Sequence, residues 1–597
     1  MRILARMFLI SHQRNKDGKD HSYWSLVETA RTADGPRQRT LCYLGELNGS
    51  AHARWVKTIE VFNEQGESRQ LKLFPAEVEA PEDDPQVARV LINRVRMERT
   101  RQFGSCFVGL ELWRRLGLEK LFEELVDNDD ADVPWSRVAA VLAINRLCAP
   151  GSELSIEQRW YPATALDDLL HIGKDKLNDT RLYRCLDKLL EHKPRVEEHL
   201  KQRYGELFGA QFDVLLYDLT SSYVEGAAEQ NDLMRRGYSR DHRPDCKQLV
   251  IALVVNVEGF PFSYEVFAGN RADVTTLEDI LRSVESKYGR ARRVWVFDRG
   301  VVSEENLATL RRRGGQYLVG TPRSKLKQFE QELLSGDWEQ VRPEVEVKLV
   351  PVRGGEETYV LCRTNARKEK EQAIRSRFSS RIEDALGRLT KRVRDGRLKD
   401  RGKIERRIGA ILARHPQVAD LYKAEVHATA EGLTVQWQMA DEHLNWQQLR
   451  EGSYLLRTNV SGQNASDLWI RYIQLTEAEA AFRALKSELS IRPIFHKIER
   501  RVKAHVMVAF LGYALWVTLK HLLKAKQTGL SPSRALALMG TIQSADIVLP
   551  TTDGREIRLR RVTVPEQQPK QLLERLGWVL PERLEFDHEC SGNSKSA

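Results

Sequence analysis

The chain has 597 residues, a length that favours several domains over one hydrophobic core. Its 94 Lys and Arg residues exceed its 84 Asp and Glu residues by 10, and this surplus favours a polyanionic partner without identifying one. Its 7 cysteines are scattered and form no CxxC pair, which argues against a zinc motif or a disulfide framework and indicates reduced thiols in a cytosolic protein.

The N-terminal third is predicted to hold two small domains. Residues 1–74 alternate short β-type runs with turn signals and predict an antiparallel β domain. The acidic, proline-rich segment that follows predicts a linker over 75–104. Residues 105–209 take on a helical period, with a candidate helix cap at Thr180, and predict a helical domain that serves either DNA binding or plain scaffolding.

An α/β core is predicted to begin at residue 210. Over 210–321, two strand patterns flank a Glu258-Gly259 turn and further strands flank a helical stretch, which fits the first part of an RNase H-like sheet. A β-rich insertion with a basic helical section is then expected to interrupt this core. The predicted segments after the first part are the insertion (322–465), the second part of the core (466–525), a small C-terminal domain (526–586) and a disordered tail (587–597).

Two unusual segments have simple structural explanations. Residues 367–407 contain 16 basic and 7 acidic residues, so 9 of the 10 surplus charges lie there, although such a run is usually a solvated helix face. The most hydrophobic segment, Val506 to Leu519, is too short to span a membrane and predicts a buried core helix. No membrane partner is therefore expected.

Three acidic residues occupy positions that suit metal-dependent phosphodiester chemistry. Asp218 follows the apolar run 214–217, and Asp298 follows the apolar run 294–297, so each is expected where a buried strand emerges. Glu479 is expected in the first turn of a long amphipathic helix. Two strand-end carboxylates and one helix carboxylate can hold a pair of Mg²⁺ ions over a DNA phosphate.

Glu479 also has a purely local interpretation. Thr476 followed three residues later by Glu479 fits a capping box, in which the glutamate bonds backbone N–H groups at the helix start. Against this, Lys486 lies two helical turns further along the same face, so a carboxylate and an ammonium would project side by side. Spacing alone leaves both interpretations open.

Four stretches of sequence carry a resemblance to a known family. YDLTSSYVEG, VFDRGVVSEENL, YLVGTPRSKL and YIQLTEAEAAFRALKSELSIRPIFHKIERRVKAHV resemble the DDE-class insertion-sequence transposases whose last motif is Y-x2-R-x3-E-x6-K. Tyr472, Glu479 and Lys486 fit that spacing. Leu475 stands where the motif has arginine, and Arg471 or Arg483 could substitute for it.

The resemblance implies a fold and a function. It implies an α/β, RNase H-like core similar to retroviral integrase, with Asp218, Asp298 and Glu479 as catalytic ligands of two Mg²⁺ or Mn²⁺ ions. It also implies a bacterial, cytoplasmic enzyme, associated with the nucleoid when acting, that cleaves element ends in double-stranded DNA and joins the 3′-hydroxyl to target DNA. Bringing two ends together implies a homodimer.

Several other residues are candidates for DNA contact, each with packing or solvation as the alternative role. A nuclease that cannot join strands, and a DNA-binding regulator with an inactive core, remain rival functions. The candidate DNA-binding residues are Tyr472, Lys486, Arg299, Arg483, Arg492, His496, Lys497, Arg500 and Arg501.

Overall fold

The computed structural model describes residues 7–16, 19–32, 35–46, 58–62, 68–72, 89–129, 131–226, 231–289, 293–352, 356–429, 432–581 and 584. The strands are β1 (Met7–Lys16), β2 (Lys19–Thr32), β3 (Gly35–Glu46), β4 (Thr58–Phe62), β5 (Ser68–Lys72), β6 (Arg96–Gln102), β7 (Val214–Val224), β8 (Lys247–Asn256), β9 (Pro261–Ala268), β10 (Val294–Phe297), β11 (Gln316–Gly320), β12 (Glu339–Arg342), β13 (Val345–Pro351), β14 (Thr358–Thr364), β15 (Tyr422–Thr429), β16 (Gly432–Met439), β17 (Ser453–Thr458), β18 (Gln543–Pro550) and β19 (Glu556–Val562). The α-helices are α1 (Gly104–Arg115), α2 (Leu118–Val126), α3 (Trp135–Cys148), α4 (Glu153–Ser155), α5 (Leu166–Leu170), α6 (Asp179–Leu189), α7 (Lys193–Phe208), α8 (Leu277–Tyr288), α9 (Glu304–Arg312), α10 (Glu330–Leu334), α11 (Asn365–Arg394), α12 (Arg401–Ala413), α13 (Asp441–Arg450), α14 (Ala465–Ile473), α15 (Leu475–Ser487), α16 (Glu499–Ala525), α17 (Pro532–Met539) and α18 (Gln567–Leu576).

Nine of the described strands form one large sheet, so the fold is mixed α/β. Their order is β12-β13-β14-β17-β11-β10-β7-β8-β9. The central strands β7, β10 and β11 run parallel, whereas β8 is antiparallel to β7 and β9 is antiparallel to β8. The expected turn between β8 and β9 is present, with Gly259 at a φ of 87° that suits glycine.

Helices cover both faces of this sheet. Along β7, Leu215, Tyr217 and Leu219 pack with α8 and α9 on one face, whereas Leu216 faces the core shared with α15 and α16. Because both faces are buried, the central strands are apolar at almost every position rather than at alternate ones. The sheet can therefore fix the positions of polar groups at its edge.

Helix α16 runs through the centre of the largest core. In the described part of the chain it alone is long and apolar enough to cross a membrane, but 83% of its apolar window is buried inside the protein. It packs against α1, α3, α6, α15 and β9. A helix that is apolar all round is expected in such a core, which agrees with the buried helix predicted from Val506 to Leu519.

The predicted insertion has two structural parts. Strands β12, β13, β14 and β17 pair in series and extend the large sheet beyond β11, so they are continuous with the core rather than separate from it. The paired strands β15 and β16 pack with α11 and α12 around a core of their own. The basic section reverses direction at Asp395 and Gly396, as its sequence predicts, with Gly396 at a φ of 70°.

The predicted linker over 75–104 is wrong for its last residues. Arg96 to Gln102 form β6, which pairs with β18, and β18 pairs with β19. The predicted C-terminal domain therefore shares a sheet with a segment more than 400 positions earlier in the chain. The sequence of β6, RMERTRQ, is almost entirely polar and is partly exposed, so hydrophobic periodicity gave no signal for a strand.

Two N-terminal features and one helix cap also bear on the sequence predictions. Strands β1, β2 and β3 form an antiparallel sheet, as the β-type runs predict. Of the predicted turns at 16–19 and 34–36, residues 17, 18 and 34 lie outside the described residues, as does the whole tail over 587–597. The helices α1 to α7 occupy the interval with helical periodicity. Asn178, not Thr180, caps α6, because its side chain accepts a hydrogen bond from Arg181 N.

Candidate active site

Asp218 and Asp298 lie side by side at one edge of the parallel strands. Tyr217 on β7 pairs in register with Phe297 on β10, and each aspartate is the next residue of its chain. Asp298 follows the end of β10, as predicted. Asp218 does not end its strand, because β8 continues to pair with β7 as far as Val224.

Helix α15 brings Glu479 to the same place. The helix packs against β7 through its apolar side, which includes Ala478, Phe482 and Leu485. Glu479 is the neighbour of Ala478 on this helix and is exposed. The sequence-distant glutamate is therefore held over the strand that carries Asp218.

The charges of the three acids act on one another. Burial, together with the charges of Glu479 and Asp298, raises the pKa of Asp218 to about 6, although the Leu219 N–H and Arg240 act in the opposite direction. Leu219 N donates to Asp218 Oδ1 at 2.8 Å. Asp218 is thus the least solvated member of a group of three carboxylates, whose mutual repulsion disfavours its ionised form.

The predicted capping box is not formed. Helix α15 begins at Leu475, one residue before Thr476, and the Thr476 hydroxyl donates to Ile473 O at 2.8 Å. Thr476 therefore lies inside the first turn, where its side chain turns back to the end of α14. This removes the local explanation for Glu479.

Tyr472 belongs to the same edge of the sheet. A Cβ added to Gly320, at the end of β11, would lie 2.7 Å from Tyr472 Oη and 3.4 Å from Asp298 Oδ1. Burial raises the pKa of Tyr472, and the Asp298 charge acts in the same direction. The phenol and the carboxylate are therefore near neighbours, and a side chain at position 320 would displace the phenol.

Lys486 has a partner that the sequence did not indicate. Its Nζ donates to Asp241 Oδ1 at 2.8 Å, and Arg492 pairs with the same oxygen. Burial lowers the pKa of Lys486 to about 8, with Arg240 acting in the same direction and Asp218 in the opposite one. Lys486 thus lies near Asp218, at the side of the site formed by the β7–β8 connection.

Arg240 and Asp241 are the main site residues missed from the sequence. Arg240 N donates to Ser221 Oγ on β7 at 2.9 Å, and its guanidinium donates to Asp273 Oδ2 at 2.5 Å. The available signal was the polar run GYSRDHRPDCK, placed between two apolar strands. A charged connection between buried strands has to run along the sheet edge, where the three acids also lie.

Leu475 contributes no charge to the site. It is 7% exposed and packs in the core beneath α15. Of its predicted substitutes, Arg471 faces the amide of Gln463, and Arg483 is exposed on α15. Arg240 has a charge that acts on both Asp218 and Lys486, so a guanidinium that the motif does not specify lies near the carboxylates.

The other candidate DNA-binding residues divide into exposed and paired groups. Arg299 and Lys497 are exposed. His496 is buried and lies 3.4 Å from Glu153, while Arg500 and Arg501 pair with Glu191 and Asp187 of the helical region. Arg500 and Arg501 thus join the start of α16 to the helical region before the core, and His496 joins the segment just before α16 to α4.

The donor groups suit a hard divalent cation. Carboxylate oxygens are the ligands that Mg²⁺ and Mn²⁺ prefer, and a cation would offset both the burial and the repulsion that raise the pKa of Asp218. Within the described ranges, no three acidic, His or Cys groups already converge on one point. Asp298 and Glu479 are exposed, so their side chains have room to turn toward a shared ion.

Comparison with known families identifies two parts of the chain. Residues 209–515, just over half of the chain, match the family model "Transposase DDE domain". Residues 10–68 match the model "IS1634 family transposase, N-terminal domain". None of the curated proteins matches the chain.

Solved structures add a distant similarity. Six chains match, among them one from the cryo-EM structure of a piggyBac transposase synaptic complex with hairpin DNA. The identity is 7% and the TM-score 0.34, over 74% of this chain and 82% of that one, which is too low to support a conclusion. Because the DDE-domain match spans more than half of the residues and includes Asp218, Asp298 and Glu479, the chain belongs to the DDE transposases of insertion sequences.

Proposed function

We propose that the protein cuts the ends of its element and joins the freed 3′-hydroxyl to target DNA by metal-dependent phosphoryl transfer. The observation that carries this proposal is the electrostatic coupling of three carboxylates around Asp218. Asp218 and Asp298 are neighbours on parallel strands, and the charges of Asp298 and Glu479 act on Asp218. These groups come from three separate parts of the chain, which favours a shared chemical role over three unrelated ones.

The sheet supports an RNase H-like description of the core. The order β9-β8-β7-β10-β11 places the first strand at the centre, with a meander on one side and two parallel strands on the other. This is the arrangement expected from strands around a turn followed by strand, helix and strand. Asp218 then lies within the central strand β7, and Asp298 follows the neighbouring parallel strand β10 at the same level of the sheet.

Asp218, Asp298 and Glu479 would hold two Mg²⁺ or Mn²⁺ ions. When bound, such ions lower the pKa of the attacking water or hydroxyl and stabilise charge on the leaving oxygen. The protein's part is to bring the three carboxylates together on rigid elements. Tyr472, beside Asp298, would orient the phosphate, and Lys486 would offer it an ammonium charge.

The proposed partner is double-stranded DNA, both element ends and target. Arg299 follows Asp298 directly and is exposed, and Arg483 lies one turn along α15 from Glu479 with an exposed side chain. Such cations suit backbone phosphates. Joining two ends to one target requires two active sites, so a homodimer is proposed for the assembled complex.

The first test is cleavage of the element's own end. Purified full-length protein is incubated with a labelled duplex of the terminal repeat, with Mg²⁺, with Mn²⁺ and with chelator. We expect nicking only with metal, and a loss of roughly a thousandfold or more in Asp218→Asn, Asp298→Asn and Glu479→Gln, because each removes a metal ligand.

The matched control is Asp384→Asn, an exposed aspartate on α11 that should cleave like the wild type. Full DNA affinity without cleavage in any metal would favour the regulator with an inactive core. Equal cleavage by the wild type and all three ligand variants would overturn the assignment of the site.

A further inference from the structure

A cavity that the proposed chemistry does not use opens beside the carboxylates. Its volume is about 400 Å³, which lies in the range of small-ligand sites, roughly 300–1,000 Å³. Its lining includes Tyr238, Arg240, Asn270, Arg271 and Gly300. Gly300 is two residues beyond Asp298 in the chain, and the Arg240 charge acts on Asp218, so the cavity adjoins the site.

The backbone that carries Tyr238 is fixed to the sheet. Arg235 and Gln248 exchange both backbone hydrogen bonds, at 2.8 and 3.2 Å, and Gly269 N donates to Leu233 O at 2.9 Å. A Cβ on Gly237 would lie 1.9 Å from Gly269 O, so glycine permits direct backbone contact between these two segments of the chain. The position of Tyr238 is therefore set by the start of β8 and the end of β9.

The side chain of Tyr238 is nevertheless 79% exposed, and among the described residues it is the one tyrosine that ranks with the exposed large hydrophobic side chains. The guanidinium of Arg240 lies 5.9 Å from its ring centroid. An aromatic ring on a rigid backbone, unburied and flanked by a cation, forms a platform on which a planar group can stack. Packing within the protein gives no reason for the ring to be there.

The cations at the cavity are suited to phosphate. Arg240 is held by Asp273, and its backbone N–H is held by Ser221 on the strand of Asp218. Arg271 donates to Thr275 O and to Asp279, both at 2.7 Å, which fixes the second guanidinium. Planar guanidinium groups bind phosphate oxygens through paired hydrogen bonds.

We propose that this cavity binds one unpaired nucleotide of the DNA strand next to the cut, with its base stacked on Tyr238 and its phosphate at Arg240. Stacking on an aromatic ring accepts any base, because every base has a π-face, and it offsets the free energy of unpairing. The inference rests on the proposed DNA cleavage and adds a binding site to it.

The test compares two DNA probes in chelator, so that neither is cut. Both are duplexes of the terminal repeat with a three-nucleotide unpaired flap at the cut, one with normal bases and one with abasic sugars. The full-length wild type should bind the normal flap about tenfold more tightly. Tyr238→Ala should erase this preference, and Tyr238→Phe should keep it.

Arg240→Gln should weaken binding of both probes and lower the salt dependence of affinity by about one unit of slope. Val579→Ala, at a site 85% exposed, and Arg282→Gln, on the outer side of α8, are the matched controls and should behave as the wild type.

A wild-type protein without preference for the normal flap, or an unchanged preference in Tyr238→Ala, would overturn the nucleotide site. Metal-dependent nicking of a fully paired repeat is measured in parallel. Nicking without base preference contradicts only the nucleotide site, whereas absence of both nicking and binding contradicts the proposed function as well.

Discussion

At the scale of single residues, the site contains a carboxyl group, Asp218, whose ionised form is disfavoured by its surroundings in the folded protein. Asp218 is a carboxylate in a mostly apolar strand, close to two other acids. The sequence alone identifies Asp218 as a candidate ligand, because it is an acidic residue directly after the apolar run VLLY at 214–217. The size of its pKa shift could not be predicted, since it depends on the burial of the carboxylate in the fold and on Glu479, which lies 261 positions away.

The raised pKa makes a prediction about stability without metal. A folded-state pKa of about 6, above the ordinary 3.8, means that the stabilising form is the protonated one. Asp218 therefore costs the folded protein no stability below about pH 4, where it is protonated in both states, and its ionisation lowers the free energy of unfolding as the pH rises through 6. In chelator at pH 8, Asp218→Asn should therefore raise the free energy of unfolding by about 1–3 kcal/mol.

Urea denaturation at pH 5 and pH 8 measures this effect, and the gain should shrink at pH 5, where the wild type is itself largely protonated. Asp384→Asn should change neither value. An Asp218→Asn protein that is less stable than the wild type at pH 8 would show that the carboxylate is not destabilised by its neighbours.

Gly320 makes a second prediction at this scale. In Gly320→Ala, the new methyl group would lie 2.7 Å from Tyr472 Oη, so the phenol has to shift from its position beside Asp298. We expect a folded protein that cleaves roughly tenfold to a hundredfold more slowly, because small displacements of positioning groups are costly. Gly387→Ala, where a Cβ meets open space on α11, is the control for cleavage rate and thermal midpoint.

At the scale of elements, α15 is held to the β7–β8 connection by one buried carboxylate. Asp241 is 5% exposed and pairs with both Lys486 and Arg492. Among the described residues its second oxygen, Oδ2, has no hydrogen-bond partner. The helix itself follows from its sequence pattern, but this contact does not, because the connection has no periodicity to reveal where it folds.

Removing that carboxylate should therefore destabilise the protein. Asp241→Ala leaves two largely buried cations without their partner, and we expect a loss of about 2–4 kcal/mol in the free energy of unfolding. Asp245→Ala, in the same connection but 62% exposed, should change it by less than about 1 kcal/mol. Equal losses in the two variants, measured by urea denaturation, would contradict a special role for Asp241.

At the scale of the whole molecule, the sequence predicts individual helices and strands better than it predicts which strands pair with one another. Strands β7, β8, β10 and β11 follow from apolar runs, and α16 follows from its length and hydrophobicity. The extension of the sheet by β12 to β14, and the pairing of β6 with β18, could not be predicted. The pairing partner of a strand is set by backbone hydrogen bonds, which leave no trace in the hydrophobic pattern of either strand.

The surplus of positive charge predicts how DNA binding responds to salt. Arg483 and Lys497 are exposed, so the double variant Arg483→Gln, Lys497→Gln should lower the slope of log affinity against log salt by about two. Lys570→Gln, on the exposed side of α18, should leave the slope unchanged. Fluorescence anisotropy with the terminal repeat at several salt concentrations measures both slopes.

The central claim is that the three carboxylates carry out both cutting and joining. Its most direct test supplies full-length protein with a pre-cleaved element end bearing a free 3′-hydroxyl, a target plasmid and Mg²⁺. We predict labelled end joined covalently to the plasmid by the wild type and by Asp384→Asn, and none by Asp218→Asn, Asp298→Asn or Glu479→Gln. Metal-dependent cleavage without any joined product would contradict the account and identify a nuclease.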